Sequence, residues 1–281
     1  MPYSFNPFTG NLDYYEYPTM IDGGEEATYV APPWSATSVH GCTLWLRSDL
    51  GAYQDAAKTI ECTGGDKVYT WADQSGNGVD VSQSDADHRP VWTSNQLNTQ
   101  PILGVAYLDA YYHGDAGLYN ESVTNLKLFP NAGELCMILV VRDMKDWGIG
   151  NSYTVGWSGG GDQVVVLASV GGQIYFDAPY SSGNGRSNVA IPALWAQAWH
   201  IVVCYRKTDG TQVIRVDQTN LSSVSKTGNV PSGTGTLGIF NDGNMGLVHK
   251  GSLAEVIFYD NAISTGDLAT VETYLKTRYG I

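Results

Sequence analysis

Positive charge is scarce in this sequence and is missing from its first part. No Lys or Arg precedes Arg47, whereas five acidic residues lie in that segment, and the whole chain of 281 residues has a formal net charge of −13. A surface with this charge repels phosphate backbones and anionic lipids. We therefore expect neither nucleic acid nor a membrane as a partner.

Long apolar runs and metal-binding spacings are missing as well. No apolar run reaches the roughly 18 residues of a membrane-spanning helix. The histidines form no HxH or HExxH cluster, and the cysteines show no CxxC spacing, which argues against zinc. Cys136 and Cys204 lie in apolar runs, where a free thiol packs as a small hydrophobe. Buried thiols are the simpler interpretation, with a Cys42–Cys62 bridge as the alternative.

Charged residues make up only 15% of the chain, and 33 glycines accompany many Ser, Thr and Asn residues. This composition is typical of short strands joined by polar turns, as in extracellular proteins. The opening residues nevertheless have no basic start, no continuous apolar core and no small-residue cleavage site, so they predict no signal peptide. Proteins that are made in a cytoplasm and released in a particle combine both properties.

The last residues predict a strand followed by one capped helix. Residues 253–259 are β-branched or aromatic, and Ser264 with Asp267 forms a capping-box-like pair. Ile263 and Leu268 are placed for a hydrophobic staple, and Gly280 is placed to end the helix. The residues at helical spacing that form one apolar stripe are Leu268, Val271, Leu275 and Tyr279.

The rest of the chain from Cys42 onward predicts β-structure. The expected strands are residues 43–46, 67–71, 79–82, 102–108, 134–142, 153–157, 163–168, 173–177, 199–207, 211–217, 236–240 and 253–260. Asp209-Gly210 and Gly171-Gly172 each join two such runs and predict antiparallel hairpins. So many strands with one helix indicate an all-β, two-sheet antiparallel sandwich with a C-terminal helix.

Residues 1–40 predict an extended N-terminal arm, and residues 41–281 predict one domain. The first forty residues contain scattered aromatic residues and prolines without sustained periodicity. Because a plain solvated linker is poor in aromatic residues, the arm should pack on its own domain or on a neighbouring subunit.

Two blocks resemble the concanavalin A-like, laminin-G-like jelly rolls of bacterial and phage surface proteins. One block combines residues 44–51 (LWLRSDLG) with residues 70–83 (TWADQSGNGVDVSQ), and the other is the closing strand and helix. The resemblance implies a jelly-roll sandwich over nearly all the chain beyond the arm, with the closing strand beside the first. It implies little about the ligand.

The opening residues 5–15 (FNPFTGNLDYY) resemble the N-termini of tailed-phage virion proteins. The resemblance implies a virion structural protein that is made in the host cytoplasm and exposed on the particle surface. A head decoration and a tail fibre or tail-tip component stay open as alternatives. We expect the arm to bind other virion proteins and the protein to be oligomeric in the assembly. The expected anchors are Phe5, Pro7, Phe8 and Leu12, because apolar and aromatic residues dominate interface energetics.

Three motifs suggest chemistry that their surroundings do not support. Residues 156–160 fit the GxSxG nucleophile elbow, but a strand former follows where a helix is required, which favours a Gly-rich loop. Residues 233–238 fit GxGxxG without the strand–helix context of a dinucleotide site, which favours a turn. Residues 73–78 resemble half of an EF-hand loop, but Ser84 stands where Glu is required, which favours an Asx turn. We therefore expect no cofactor and no metal in these motifs, and the candidates for a looser calcium site are Asp162 and Asp242.

Glycan binding or hydrolysis would need a different set of residues. Hydrolysis requires two carboxylates facing one bond, and Glu255 and Asp260 on the last strand should face opposite sides of it. We therefore expect no enzyme activity. The candidates for glycan binding are Trp147, Trp157, Tyr180, Asn184 and Arg186, which flank Gly- and Ser-rich segments. The favoured alternative is that these rings cap the sandwich or form a subunit contact.

The sequence thus predicts a non-enzymatic virion protein whose jelly roll mediates adhesion to host surface glycans or subunit contact. A carbohydrate-binding module of a bacterial surface system is the second hypothesis, and a glycan hydrolase is the third.

Overall fold

A computed structural model describes residues 3–5, 12–14, 34–105, 117–124, 128–129, 133–142, 152–159, 162–169, 173–179, 185–190, 198–227, 230, 233–241 and 251–281. The chain divides into two units, Met1–Pro33 and Trp34–Ile281. In the first unit, β1 (Tyr3–Phe5) pairs antiparallel with β2 (Leu12–Tyr14). The division falls after Pro33 rather than after His40, because residues 34–39 pack with the second unit.

The second unit consists mainly of strands, with a short 3₁₀ helix (Ala36–Ser38) at its start and helix α1 (Thr265–Tyr279) at its end. Its strands are β3 (Cys42–Arg47), β4 (Ala52–Tyr53), β5 (Thr70–Trp71), β6 (Val81–Ser82), β7 (Val91–Leu97), β8 (Gln100–Val105), β9 (Leu118–Thr124), β10 (Leu135–Arg142), β11 (Ser152–Gly159), β12 (Asp162–Ser169), β13 (Gln173–Asp177), β14 (Arg186–Ala190), β15 (Trp199–Arg206), β16 (Thr211–Val216), β17 (Thr219–Ser225), β18 (Thr234–Ile239) and β19 (Gly251–Tyr259).

These strands form two antiparallel sheets. The eight-stranded sheet has the order β17-β16-β15-β10-β19-β8-β7, and β3 also pairs with β19. The nine-stranded sheet has the order β14-β13-β12-β11-β18-β9-β6-β5-β4. The expected all-β, two-sheet sandwich is confirmed, and so is the expected pairing of the last strand with the first strand of the domain.

Strand β10 shows that the eight-stranded sheet is buried on both faces. Leu135, Met137 and Leu139 point into the core between the two sheets. Cys136 and Ile138 alternate with them and point to the other face, where they pack in a second core under α1. A strand that is buried on both faces needs a continuous apolar run, and LCMILVV supplies one.

Helix α1 covers the outer face of the eight-stranded sheet through the expected apolar stripe, all of which is buried. Ser264 Oγ accepts a 3.1 Å hydrogen bond from the Asp267 backbone N–H, and Gly280 ends the helix with φ of +67°. Both predicted caps are confirmed. Residues 34–39 lie in the same core, with Ala36 and Val39 buried.

The glycine-rich motifs lie in strands, which corrects the loop and turn predicted for them. Residues 156–159 belong to β11, and residues 234–238 belong to the neighbouring strand β18. Gly156 pairs with Gly238, and Gly159 pairs with Gly235. A Cβ atom on Gly235 would stand 2.2 Å from the Ser158 carbonyl oxygen, so close approach of the two backbones requires glycine here.

Both expected hairpins are confirmed as pairs of strands. Asp209-Gly210 precedes β16, which pairs antiparallel with β15, and β12 pairs antiparallel with β13. Strands β4, β7, β9, β14 and β17 were not expected. The described part of the chain has no helix that is both long enough and apolar enough to cross a membrane.

All four cysteines have free thiols, as the simpler interpretation predicted. Cys62, Cys136 and Cys204 are buried, and Cys42 is half-buried. Burial is the main cause that raises the pKa of the Cys42 and Cys62 thiols to about 12, so both stay protonated at neutral pH.

Candidate functional site

An open polar pocket of about 400 Å³ lies where β6 and β9 pair in the nine-stranded sheet. We call it the β6–β9 pocket. Its lining consists of two carboxylates, two amides and three hydroxyl groups: Asp80, Glu121, Gln83, Asn120, Ser82, Ser84 and Tyr119. A pocket with this lining offers both hydrogen-bond donors and acceptors to a ligand.

Strand alternation brings the pocket residues to the outer face. Val81 on β6 and Leu118 on β9 point into the core between the sheets. Their neighbours Ser82 and Tyr119 therefore point outward, and they lie directly opposite each other in the ladder. The core anchors the two strands, so the positions of these two side chains are fixed by packing rather than by a loop.

A hydrogen bond to a buried side chain fixes the position of the Tyr119 hydroxyl group. This group lies 3.2 Å from Asn241 Nδ2, and Asn241 is fully buried. Phe240, the preceding residue, has φ of +64°, an uncommon conformation for a bulky residue. Its backbone N–H donates a 2.8 Å hydrogen bond to the Thr154 carbonyl oxygen. This backbone conformation thus places the Asn241 amide beside the Tyr119 hydroxyl group.

The Asp80 carboxylate is already engaged on both oxygens. Oδ2 lies 2.7 Å from Lys58 Nζ, and Oδ1 accepts a 2.9 Å hydrogen bond from the Asp73 backbone N–H. The Asp80 carbonyl oxygen also accepts a 2.7 Å hydrogen bond from Asn120 Nδ2. Asp80 is therefore a fixed acceptor at the edge of the pocket.

Three side chains of the pocket have no hydrogen-bond partner among the residues that the structure describes. Ser82, Ser84 and Glu121 are exposed, and within the described part of the chain their side chains make no hydrogen bond. A hydroxyl group donates one hydrogen bond and accepts two, and a carboxylate accepts up to four. These groups are available to a ligand with several hydroxyl groups.

The residues that the sequence predicted for glycan binding do not gather at this pocket. Trp157 is fully buried in the core, and its Nε1 donates a 3.1 Å hydrogen bond to the Val123 carbonyl oxygen. Its ring is therefore part of the sandwich interior and offers no surface to a glycan, which corrects the expectation. Trp147, Tyr180 and Asn184 lie outside the described residues.

Arg186 forms a bidentate ion pair with Asp177, which is fully buried. Its Nε lies 2.8 Å from Oδ1 and its Nη2 lies 2.7 Å from Oδ2. The guanidinium carbon also lies 4.7 Å from the ring centroid of Tyr175. These contacts give Arg186 a structural role where β13 and β14 pair. Its guanidinium group neutralises a buried carboxylate, which would be costly to leave unpaired.

The segment that resembles half of an EF-hand is a structural turn, as expected. The Asp73 carboxylate accepts a 2.8 Å hydrogen bond from the Ser75 backbone N–H, which closes the Asx turn. It also accepts bonds from the backbone N–H groups of Trp45 (3.0 Å) and Val79 (3.1 Å). Asp73 thus ties the loop to β3.

The calcium candidates stay predictions. Asp162 is the first residue of β12, with its side chain outside the description, and Asp242 lies outside the described residues. Within the described ranges, no group of three or more His, Cys, Asp or Glu side chains is placed to hold a metal ion.

The carboxylate of Glu255 lies sealed under α1. It is fully buried and accepts hydrogen bonds from Trp45 Nε1 (2.6 Å) and the Tyr279 hydroxyl group (2.8 Å). Burial raises the pKa of Glu255, and these two hydrogen bonds act against that rise. Glu255 is therefore not one member of a carboxylate pair in an open cleft.

The predicted docking residues fall on the first unit. Phe5 and Leu12 are opposite each other in the β1–β2 pair, with only their backbone described. Pro7 and Phe8 lie outside the described residues.

The two-sheet sandwich is a fold that solved structures share with this chain. The botulinum neurotoxin serotype G binding domain matches with a TM-score of 0.57 and 8% identity, over 84% of this chain and 51% of that one. A Trypanosoma rangeli sialidase in complex with the inhibitor DANA matches with a TM-score of 0.51 and 13% identity, over 82% of this chain and 32% of that one. The chain thus spans about half or less of the length of these structures.

No protein-family model and no curated protein matches the sequence. At identities this low, the structural matches show the fold, and they agree with the expected concanavalin A-like jelly roll.

Proposed function

We propose that this chain is a non-catalytic, lectin-like jelly roll that binds glycans through the β6–β9 pocket. The carrying observation is that Ser82, Ser84 and Glu121, whose side chains make no hydrogen bond within the described residues, line the pocket together with Tyr119. Sugars present many hydroxyl groups around small apolar patches, and such ligands suit a mixed polar and aromatic lining. The matched structures include a domain named for binding and a sialidase.

The ligand should be a neutral or basic sugar rather than an acidic one. Two carboxylates line the pocket, and its described lining includes no Lys or Arg. The two cations beside lining residues are engaged, since Lys58 pairs with Asp80 and Arg89 donates to the Gln83 and Ser84 carbonyl oxygens. An acidic sugar would bring its carboxylate towards Glu121 without a compensating charge, and the chain's net charge of −13 adds to that repulsion.

We place this module in a phage virion, with the first unit docking it to other virion proteins. The resemblance of residues 5–15 to phage N-termini supports this placement, and the division of the chain into the units Met1–Pro33 and Trp34–Ile281 is consistent with a docking role for the first. Under this proposal the protein is made in the host cytoplasm and displayed on the particle surface. A bacterial surface carbohydrate-binding module would use the same pocket without the docking step.

Hydrolysis is the second candidate function, because Asp80 and Glu121 line one pocket. A general acid must hold a proton to deliver, and both oxygens of Asp80 are engaged by Lys58 and the Asp73 N–H. This arrangement favours binding without cleavage. Release of reducing ends from a bound glycan, lost in Asp80→Asn and Glu121→Gln, would favour hydrolysis instead.

A glycan array that compares the wild type with a variant whose pocket is blocked tests the proposal. Ser82→Trp places a large ring into the pocket without removing any hydrogen bond, and Thr277→Trp adds the same ring at an exposed position of α1. We expect the wild type and Thr277→Trp to bind the same glycans, and Ser82→Trp to bind none of them. A blank array for the wild type, or unchanged binding by Ser82→Trp, would contradict the proposal.

The ligand class is tested by reversing one charge. Glu121→Lys should weaken binding of basic sugars at least about tenfold and allow binding of acidic ones, since a tenfold change corresponds to about 1.4 kcal/mol. Glu61→Lys, at an exposed position away from the pocket, is the control for the change in net charge.

A further inference from the structure

Strand β17 leaves an open edge on the eight-stranded sheet. Its residues Thr219–Ser225 pair with β16 on one side, and in the described chain no residue pairs with them on the other side. Six of its seven side chains are exposed. Leu221 and Val224 are each 37% exposed, and they account for two of the four large apolar side chains exposed in the described part. Such an edge is a template for pairing with another chain.

The opposite edges of both sheets are closed by the protein's own loops. Residues 65–68 run along β7, where the Trp92 backbone N–H donates a 2.8 Å hydrogen bond to the Asp66 carbonyl oxygen. Residues 60–62 run along β4, where the Cys62 N–H donates a 2.9 Å hydrogen bond to the Ala52 carbonyl oxygen. The contrast leaves β17, with β14 of the other sheet beside it, as the side of the sandwich that is open to a partner.

Charge around β17 fits a second copy of this chain. Residues 218–225 carry no charge, although the chain has a net charge of −13. Two copies repel each other over most of their surfaces, so an uncharged segment is where they can approach. Asp217 precedes the strand and Lys226 follows it. Antiparallel pairing brings the Asp217 end of one copy towards the Lys226 end of the other, which is an attractive arrangement.

We infer that β17 pairs antiparallel with β17 of a second copy across a two-fold axis, which joins the two eight-stranded sheets into one. The same surface then meets itself, so each copy closes the open edge of the other. Strand β14, the edge of the nine-stranded sheet, packs beside β16 and β17. It therefore lies close enough to widen the contact beyond a single pair of strands.

Analytical ultracentrifugation of the full chain tests this inference with three variants. Val224→Lys places a positive charge inside the uncharged segment of each copy, and Lys226→Glu places a glutamate near Asp217 of the second copy. Ile60→Lys is the matched control, because Ile60 is 54% exposed on a loop that closes another edge. All three positions are on the surface, so each variant should unfold at the temperature of the wild type.

We expect the wild type and Ile60→Lys to form a dimer with the same affinity, and the two β17 variants to raise its dissociation constant at least about tenfold. Hydrogen exchange should slow in residues 219–225 of the wild type as protein concentration rises. A wild type that stays monomeric at about 100 µM would overturn the inference. So would an oligomer that Val224→Lys and Lys226→Glu leave unchanged, since its contact would lie elsewhere.

Discussion

Trp45 Nε1 donates a 2.6 Å hydrogen bond to the carboxylate of Glu255, which links the first strand of the sandwich to the last. The Tyr279 hydroxyl group donates a second hydrogen bond from α1, so one buried carboxylate connects β3, β19 and the helix. Because Trp45 and Glu255 are 210 residues apart in sequence, this contact joins the two ends of the domain.

The buried carboxylate should make stability depend on pH. Burial raises the pKa of Glu255, so the folded state holds this proton more tightly than the unfolded state does. The free energy of unfolding of the wild type, relative to Glu255→Gln, should therefore fall as the pH rises from the unfolded pKa to the folded one. The slope is at most about 1.4 kcal/mol per pH unit. Urea unfolding between about pH 4 and pH 8 measures it.

Tyr279→Phe tests the predicted direction of this pH dependence a second time. The Tyr279 hydrogen bond lowers the pKa of Glu255, so its loss should extend the pH range over which stability falls. Parallel curves for the wild type and Glu255→Gln would contradict this account of the buried carboxylate.

Asp73 should stabilise the fold rather than bind calcium. Asp73→Ala leaves the backbone N–H groups of Trp45 and Val79 without their acceptor, so we expect a loss of about 2–4 kcal/mol in the free energy of unfolding. Asp87→Ala is the control, since the Asp87 side chain is 88% exposed and its contact with Lys67 is 3.5 Å long. Thermal unfolding with and without calcium separates the two roles, and a stabilisation by calcium that Asp73→Ala abolishes would contradict ours.

Arg186 should contribute to stability more than to ligand binding. Arg186→Ala removes the bidentate partner of the fully buried Asp177, and we expect a loss of about 3–5 kcal/mol. Arg186→Lys should recover only part of it, because an ammonium group lacks the planar fork. If Arg186→Ala keeps its unfolding temperature and loses glycan binding instead, the predicted glycan site at residues 180–186 is the better interpretation.

Two truncated proteins that begin only seven residues apart should differ in stability. Removal of residues 1–33 leaves the sandwich intact and should leave its stability unchanged. Removal of residues 1–40 also deletes buried Ala36 and Val39 and the stacking of Trp34 on Tyr274, whose ring centroids lie 4.1 Å apart. We expect this deletion to cost about 3 kcal/mol. Equal stability of both truncated proteins would show that residues 34–40 are not part of the domain.

The shorter truncation also tests docking in the virion. Protein without residues 1–33 should fold and fail to enter particles, and normal incorporation would contradict the proposed role of the first unit.

The elements that the sequence predicted well carry their signals locally. The Ser264 and Gly280 caps bracket α1, and the uninterrupted apolar run of β10 indicates burial on both faces. Asp209-Gly210 identifies its hairpin because glycine adopts positive φ without steric cost. In each case the information lies within a few residues of the element.

The hairpins that the sequence analysis missed use turns without glycine. Asp217 and Gln218 join β16 to β17 with φ of +45° and +69°, and Asn98 and Thr99 join β7 to β8 with φ of +46° and +65°. Such residues adopt positive φ only when the paired strands enforce it. Pairing with the neighbouring strand therefore decided these turns, and strands β7 and β17 were missed with them.

The pocket was missed because β9, one of its two strands, was not predicted from the sequence. The residues LYNESVT of β9 are largely polar, since only one of their faces meets the core. Conversely, the glycines on both sides of Trp157 predicted a loop, although they belong to β11 and pair with glycines of β18. Recognising either feature requires the neighbouring strand, which no local pattern supplies.

A crystal structure of the full chain with the strongest ligand from the glycan array tests the central claim most directly. The account predicts a neutral or basic sugar within hydrogen-bond distance of Ser82, Ser84 and the Glu121 carboxylate. A glycan bound instead near Trp147, Tyr180 and Arg186, with the β6–β9 pocket empty, would contradict it.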